Sequence, residues 1–243
     1  MIETHLAIET GEGKMSTFVV RPESDGPFPV ILFLMDAPGK REELHDMARR
    51  VAATGYYVML PNLYYRDVPS FTIHREDPVS SKYMAQLMDN LSNAMVSRDA
   101  AKLMEQAESD DSANTDLVGV TGYCMSGPFA LWLAADYPEK IKAAASIHGV
   151  RLATDADDSP HTRAAQIDGE VLVLAAEFDD WVDKPHFDRL THALINADVS
   201  HYAEWVDGVH HGFVFSQRAK YDKAASERHW ALLHSFFDRN LKP

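Results

Sequence analysis

The residues with the clearest chemical potential lie in one short segment, residues 118–128, whose sequence is VGVTGYCMSGP. An apolar run that predicts a β-strand leads into a turn of small residues carrying Cys124, the only cysteine of the chain. A strand-to-helix turn that exposes a nucleophile needs small residues two positions before and after it, because the flanking backbones nearly touch. Gly122 and Ser126 meet this need, so Cys124 is the predicted nucleophile.

Two other interpretations of this segment stay open. A lone cysteine is most often a small, buried apolar residue. Ser126 could itself be the nucleophile, but Cys124 and Pro128 would then fill the tight positions of the turn, which favours Cys124. The backbone N–H of Met125 is the expected first donor to an oxyanion. The helix that begins at this point would favour a thiolate through its positive end.

A thiol nucleophile needs a base and an acid that orients the base. In α/β hydrolases these follow in the chain order nucleophile, acid, histidine. Residues 177–183, EFDDWVD, follow a predicted strand and can supply the acid. Asp179 is the predicted acid, with Asp180 and Asp183 as alternatives. The alternative without a catalytic role is that residues 177–183 form an acidic loop exposed to solvent.

The predicted base lies further along the chain, in residues 209–213, VHHGF. His211 is preferred because Gly212 lets the backbone turn, so that the imidazole projects into a cleft. His210 is the alternative, and it is otherwise expected to pack or to hydrogen-bond nearby.

Length, composition and charge restrict the class of protein. With 243 residues, of which 46% are hydrophobic and 25% charged, the chain is expected to form a single globular domain, residues 1–243. A net charge of −14 repels phosphate backbones and anionic lipids, so neither nucleic acid nor membrane is an expected partner. No signal peptide is recognisable, and a cytoplasmic location is expected. No Cys/His cluster has metal spacing, so no metal and no cofactor are expected.

The elements that must position these residues follow from the apolar pattern. Short apolar runs alternate with stretches of helical spacing, which predicts an α/β fold with a mainly parallel central sheet flanked by helices on both faces. The predicted strands are residues 6–9, 17–21, 29–35, 56–60, 117–123, 143–148, 171–176 and 202–206. The predicted helices are residues 42–54, 129–135, 185–195 and 221–237. Two irregular segments, 62–80 and 151–166, are expected to be loops that shape a substrate cleft.

Several of these motifs together resemble the dienelactone hydrolase family. The resemblance rests on GYCMSG at 122–127, EFD at 177–179 and HGF at 211–213. It extends to residues 29–36 and 53–65, and so spans nearly the whole chain. The resemblance implies an α/β-hydrolase fold.

The resemblance also implies a catalytic triad, here Cys124, His211 and Asp179, that opens a lactone or ester through an acyl-enzyme. The implied partner is a small-molecule substrate, whose identity the family does not fix. A broad carboxylesterase or thioesterase on the same triad is the alternative enzyme. The alternative outside the enzymes is a non-catalytic redox sensor whose thiol is oxidised.

One departure from the family pattern concerns the end of the third predicted strand, where the family places a glutamate and this chain has Asp36. An acid beside the thiol would oppose thiolate formation through like-charge repulsion, so Asp36 is a predicted modulating acid. The backbone N–H of Ala37 is the expected second oxyanion donor, together with that of Met125. Three arginines are candidates to bind an anionic substrate: Arg66, Arg75 and Arg218.

Overall fold

Strands and helices largely alternate along the chain. The computed structural model describes residues 1–242, and these form eight strands and six α-helices. The strands are β1 (Ile2–Glu9), β2 (Lys14–Arg21), β3 (Phe28–Leu34), β4 (Tyr57–Pro61), β5 (Ala113–Tyr123), β6 (Ile141–Ile147), β7 (Glu170–Phe178) and β8 (His201–His210). The helices are α1 (Glu42–Ala52), α2 (Pro78–Asp89), α3 (Asn93–Glu108), α4 (Gly127–Asp136), α5 (Lys184–Asn196) and α6 (Lys223–Leu241).

The described residues divide into two compact units, 1–116 and 117–242. In the first unit, β1 pairs antiparallel with β2, β2 pairs antiparallel with β4, and β3 pairs parallel with β4. Every residue of β4 is buried, as expected for a strand covered on both faces. Helix α1 packs against β4, and the chain leaves it through Gly55, whose φ of +99° is the left-handed conformation that glycine adopts readily.

In the second unit, β5, β6, β7 and β8 pair in that order, and all of them are parallel. Residues 143–147 of β6 are buried without a break, although successive side chains point to opposite faces of the sheet. Both faces of this strand are therefore covered, and α4 and α6 both pack against it. The predicted fold class, an α/β fold with a mainly parallel sheet between helices, is confirmed. One domain over residues 1–243 stays a prediction.

The sequence prediction missed two helices. Helix α2 buries only Leu87, so it has no apolar stripe that its sequence could reveal. Helix α3 does carry such a stripe, at residues 96, 100, 103, 104 and 107, and Ser92 caps its first turn.

The predicted loop at 62–80 is irregular until α2 begins at Pro78, and the loop at 151–166 ends in a short 3₁₀ helix, Pro160–Gln166. Their part in shaping a cleft stays a prediction.

No helix within residues 1–242 is both long and apolar enough to cross a membrane.

Candidate active site

The turn that carries Cys124 is as tight as its small residues predict. Strand β5 ends at Tyr123, a 3₁₀ turn spans Cys124–Ser126, and α4 follows at once. A Cβ added to Gly122 would lie 2.1 Å from the carbonyl oxygen of Ser126, closer than any real contact. Cys124 has a φ of +55°, a left-handed conformation that is strained for a residue other than glycine. The sharp strand–turn–helix geometry of a nucleophile elbow is present.

Ser126, the rival nucleophile, uses its hydroxyl to close this turn. Its Oγ accepts a hydrogen bond from the N–H of Tyr123 at 2.9 Å and donates to the carbonyl oxygen of the same residue at 3.2 Å. Ser126 is fully buried, whereas Cys124 is 8% exposed. The geometry therefore favours the thiol over the hydroxyl as the group that meets a substrate. Met125, the expected oxyanion donor, is the central residue of the 3₁₀ turn.

The register of the parallel strands brings the predicted acid and base together. Phe178, the last residue of β7, is paired with His210, the last residue of β8. Asp179 and His211 are therefore the first residues beyond two paired strand ends. The N–H of His211 also donates to the carbonyl oxygen of Phe178 at 3.0 Å, which fixes the backbone at this point.

Asp179 and His211 form a buried charged contact. Nδ1 of His211 lies 2.7 Å from Oδ2 of Asp179, and the two side chains are 9% and 1% exposed. The other carboxylate oxygen of Asp179, Oδ1, accepts the N–H of Trp181 at 2.9 Å, so the carboxylate is held at both ends. The alternatives are engaged elsewhere or face solvent: Asp183 caps α5, and Asp180 is exposed.

The choice between the two adjacent histidines follows from the strand end. His210 belongs to β8, and its ring packs against that of Phe178 with a centroid distance of 5.0 Å. Gly212 has a φ of +80°, so the chain turns sharply just after His211. Of the two adjacent histidines, it is His211 that lies within hydrogen-bond distance of Asp179.

The surroundings of His211 favour its protonated form. Burial lowers the pKa of this imidazole, but the hydrogen bond with Asp179 and the interaction with the thiol of Cys124 outweigh burial and raise the pKa to about 9. Nε2, the ring nitrogen not used by Asp179, is buried and has no hydrogen-bond partner within residues 1–242. The sulfur of Cys124 is thus near enough to interact with the imidazole, and below this pKa the second proton of the ring sits on Nε2.

The sequence analysis did not identify one residue of this region, His148. It is the first residue after β6, and the strand pair Tyr123 and Ile147 places it beside Cys124 in the register. Its ring lies 4.8 Å, centroid to centroid, from that of His211. A histidine that ends a continuous apolar run was the available signal, because the polar residues just beyond parallel strands form the ligand-binding edge of such sheets.

Asp36 and Ala37, the remaining predicted site residues, lie in the first unit, two and three residues after β3. The carboxylate of Asp36 is fully buried and forms an ion pair with Arg41, which also pairs with Glu43 at 2.6 Å. The carbonyl oxygen of Ala37 accepts the hydroxyl of Tyr64 at 2.8 Å. The roles assigned to Asp36 as modulating acid and to Ala37 as oxyanion donor stay predictions.

The three candidate arginines have different surroundings. Arg66 is paired with the buried carboxylate of Asp99 at 2.7 Å, Arg75 is exposed, and the guanidinium of Arg218 stacks on the ring of Phe215 at 4.4 Å. Within the described part of the chain, no group of three or more His, Cys, Asp or Glu side chains could hold a metal ion.

An elbow after one parallel strand, followed in the chain by a buried Asp–His pair beyond two later strands, defines an α/β hydrolase. The chain belongs to the dienelactone hydrolase family, whose model matches residues 15–241. Membership of this family makes it a hydrolase that acts on esters or lactones.

Individual relatives agree with this assignment over most of their length. The chain is 25% identical to a proposed carboxymethylenebutenolidase of Synechocystis sp., with 94% of this chain and 93% of that protein covered. It is 27% identical to the carboxymethylenebutenolidase of Rhodococcus opacus, with 89% and 83% covered. The crystal structure of a proposed dienelactone hydrolase from Klebsiella pneumoniae is similar in fold, with a TM-score of 0.87 at 23% identity over 98% of each chain.

Proposed function

We propose that the protein hydrolyses a lactone or ester of the dienelactone type through a Cys124–His211–Asp179 triad and a covalent acyl-enzyme. The observation that carries the proposal is the buried contact of 2.7 Å between Asp179 and Nδ1 of His211, which leaves Nε2 without a partner. An imidazole held in this way presents Nε2 to a nucleophile. Cys124, at the elbow of the same unit, is the nucleophile that interacts with it.

In the first half of the proposed reaction, Nε2 of His211 takes the thiol proton of Cys124. The thiolate sulfur attacks the carbonyl carbon of the substrate, and the carbonyl electrons move onto oxygen to form an oxyanion. The backbone N–H groups of Met125 and Ala37 stabilise this oxyanion in the proposal. The carbon–oxygen bond to the leaving group then breaks, and His211 returns its proton to that oxygen. The acyl group is left on sulfur as a thioester.

In the second half, a water molecule releases the acyl group. His211 accepts a proton from the water, whose oxygen attacks the thioester carbon, and the carbon–sulfur bond breaks. The proton returns to sulfur, so the carboxylic acid leaves and Cys124 is again a thiol. Asp179 keeps Nδ1 protonated and stabilises the imidazolium in both halves.

The proposed substrate is a small-molecule lactone or ester, and the proposed location is the cytoplasm. A lactone or enol ester suits a thiol nucleophile, because its leaving oxygen departs more easily than an amide nitrogen. The relatives named carboxymethylenebutenolidase support a lactone substrate. In the proposal, the acid Asp36 restrains the thiol until substrate binds.

The test combines alkylation of the thiol with hydrolysis. Iodoacetamide labels one thiol for each chain, since Cys124 is the only cysteine, and the label can be counted by mass spectrometry. Hydrolysis of an anionic dienelactone and of neutral nitrophenyl acetate is followed during labelling. Loss of hydrolysis in proportion to the label is expected, and hydrolysis by the fully labelled protein would refute a thiol nucleophile.

Two variants complete the test. Cys124→Ala is expected to reduce kcat to background while leaving the fold intact, because removal of one sulfur atom opens only a small gap. Cys124→Ser keeps a nucleophile of similar size and is expected to retain a trace of activity. The ratio of the hydrolysis rates for the dienelactone and for nitrophenyl acetate distinguishes a lactonase from a broad esterase. A protein that forms a sulfenic acid with peroxide but turns over neither substrate would favour the redox sensor.

A further inference from the structure

His148 is a buried histidine for which the proposed reaction has no use. It is 1% exposed, and neither of its ring nitrogens has a hydrogen-bond partner within residues 1–242. Burial holds the pKa of His148 well below its ordinary value, and the nearby His211, Arg218 and His229 lower it further. The neutral form of His148 is therefore favoured. A buried polar ring without hydrogen bonds needs an explanation.

The ring of His148 is in direct contact with the ring of the proposed base. Its centroid lies 4.8 Å from that of His211, and the planes meet at 64°, an edge-to-face arrangement. Phe213 and Phe215 contact the same ring, with centroid distances of 5.8 and 5.5 Å. His148 thus links this aromatic cluster to the base, whose ring the indole of Trp181 also contacts at 4.7 Å.

The backbone around His148 joins the base to the nucleophile. The N–H of His148 donates to the carbonyl oxygen of Leu174 at 2.6 Å, and the N–H of Val150 donates to the carbonyl oxygen of Cys124 at 3.1 Å. His148 has a φ of +38°, which is unusual for a residue other than glycine although histidine tolerates it better than most. Residues 148–150 are therefore fixed to the elbow at one end and to the ring of His211 at the other.

We propose that His148 is a positioning residue that fixes the plane of the His211 imidazole, so that Nε2 stays directed at Cys124. The contact between Nδ1 and Asp179 by itself leaves the imidazole able to tilt, and the ring of Trp181, which lies edge-to-face to His211 at 4.7 Å, belongs to a side chain that is 63% exposed. A second ring packed edge-to-face removes this freedom, and a neutral ring does so without repelling the imidazolium that forms during the reaction. This inference rests on the proposed function, in which His211 is the base.

Two substitutions separate the ring contact from the backbone conformation. His148→Phe keeps a ring but is poorly suited to a positive φ, whereas His148→Asn tolerates a positive φ and has no ring. The Phe variant is expected to be the less stable of the two but to keep kcat within about 3-fold of the wild type. The Asn variant is expected to be the more stable but to lose about 10- to 100-fold in kcat with little change in KM, as displacement of a catalytic group does.

Thermal unfolding and hydrolysis of nitrophenyl acetate, measured on both variants, decide the question. A purely structural role for His148 predicts that activity follows stability, so an Asn variant as active as the wild type or more active than the Phe variant would overturn the inference. His229→Phe is a matched control, because it removes another buried imidazole that contacts Tyr123 but is not in ring contact with His211. It is expected to change stability without lowering kcat as far as the Asn variant does.

A readout that does not depend on turnover keeps this inference separate from the proposed function. In an NMR titration of the imidazole C–H signals, the Asn variant is expected to show a lower pKa for His211 than the wild type, because a tilted ring interacts less with Asp179 and Cys124. The Phe variant is expected to match the wild type. Equal titration curves in all three proteins would refute positioning by His148. Wild-type hydrolysis that survives alkylation would instead refute the proposed function.

Discussion

Replacing Asp179 with asparagine removes one charge from the proposed triad and keeps the size of the side chain. Oδ1 of Asp179 accepts the N–H of Trp181 at 2.9 Å, and Oδ2 faces Nδ1 of His211 at 2.7 Å. In the asparagine variant, the amide oxygen must keep the N–H of Trp181, because an NH₂ group cannot accept a hydrogen bond. The NH₂ group then faces Nδ1 and donates to it.

A donor at this position reverses the arrangement of protons on the imidazole. Nδ1 of His211 becomes the acceptor, so the one proton of the neutral ring sits on Nε2, which can no longer take the thiol proton. The same substitution in a serine triad lowers kcat by about 10⁴-fold. At about 1.4 kcal/mol for each factor of ten, the barrier rises by about 5 kcal/mol. Loss of the carboxylate also lowers the pKa of His211 from about 9.

The assay is kcat for nitrophenyl acetate together with the pH dependence of Cys124 alkylation. Asp180→Asn is the matched control, because it makes the same change of charge one position away on an exposed side chain. The control is expected to stay within about 3-fold of the wild type, as an exposed charge contributes little. If Asp179→Asn kept kcat within tenfold of the wild type and left the pH profile of alkylation in place, the assignment of Asp179 as the triad acid would be wrong.

Two further predictions concern charge. The pKa of His211 is raised from 6.5 to about 9, so protonation of this imidazole stabilises the folded state. This stabilisation is complete below pH 6.5 and is lost as the pH rises through 9. It amounts to about 3 kcal/mol in the free energy of unfolding, at about 1.4 kcal/mol for each pKa unit. Urea unfolding from pH 6 to pH 10 should show this loss in the wild type, and a His211→Asn variant with the same pH dependence would contradict it. Asp36→Asn should speed alkylation of Cys124 at neutral pH, because it removes a carboxylate proposed to oppose the thiolate. Unchanged alkylation and unchanged turnover would exclude that role.

Much of the fold was predictable from the sequence, because the pattern of apolar residues records which strands are covered on both faces. The run at residues 29–35 became β3, and the run at 171–176 became the buried part of β7. The amphipathic spacing of residues 42–54 became α1. Helix α2 could not be found in this way, since a helix that buries one side chain leaves no periodic signal.

The candidate site was predictable to the level of segments. The small residues around Cys124 could be identified because a tight turn excludes side chains locally, and the Gly122 contact shows how little space there is. The residues 177–183 and 209–213 could be identified from their position after predicted strands. Within the acidic segment, however, the sequence offered three aspartates of equal chemistry.

The sequence by itself determined the fold class and the tight turn at Cys124, because these depend on local sterics and on the period of apolar residues, and it placed the candidates Cys124, Asp179 and His211 in that order along the chain. Only the tertiary structure decided which side chains meet. The pairing of Phe178 with His210 puts Asp179 against His211, and it leaves His210 within the strand. The contact of His148 with His211 depends likewise on strands that pair in space, which no local pattern specifies.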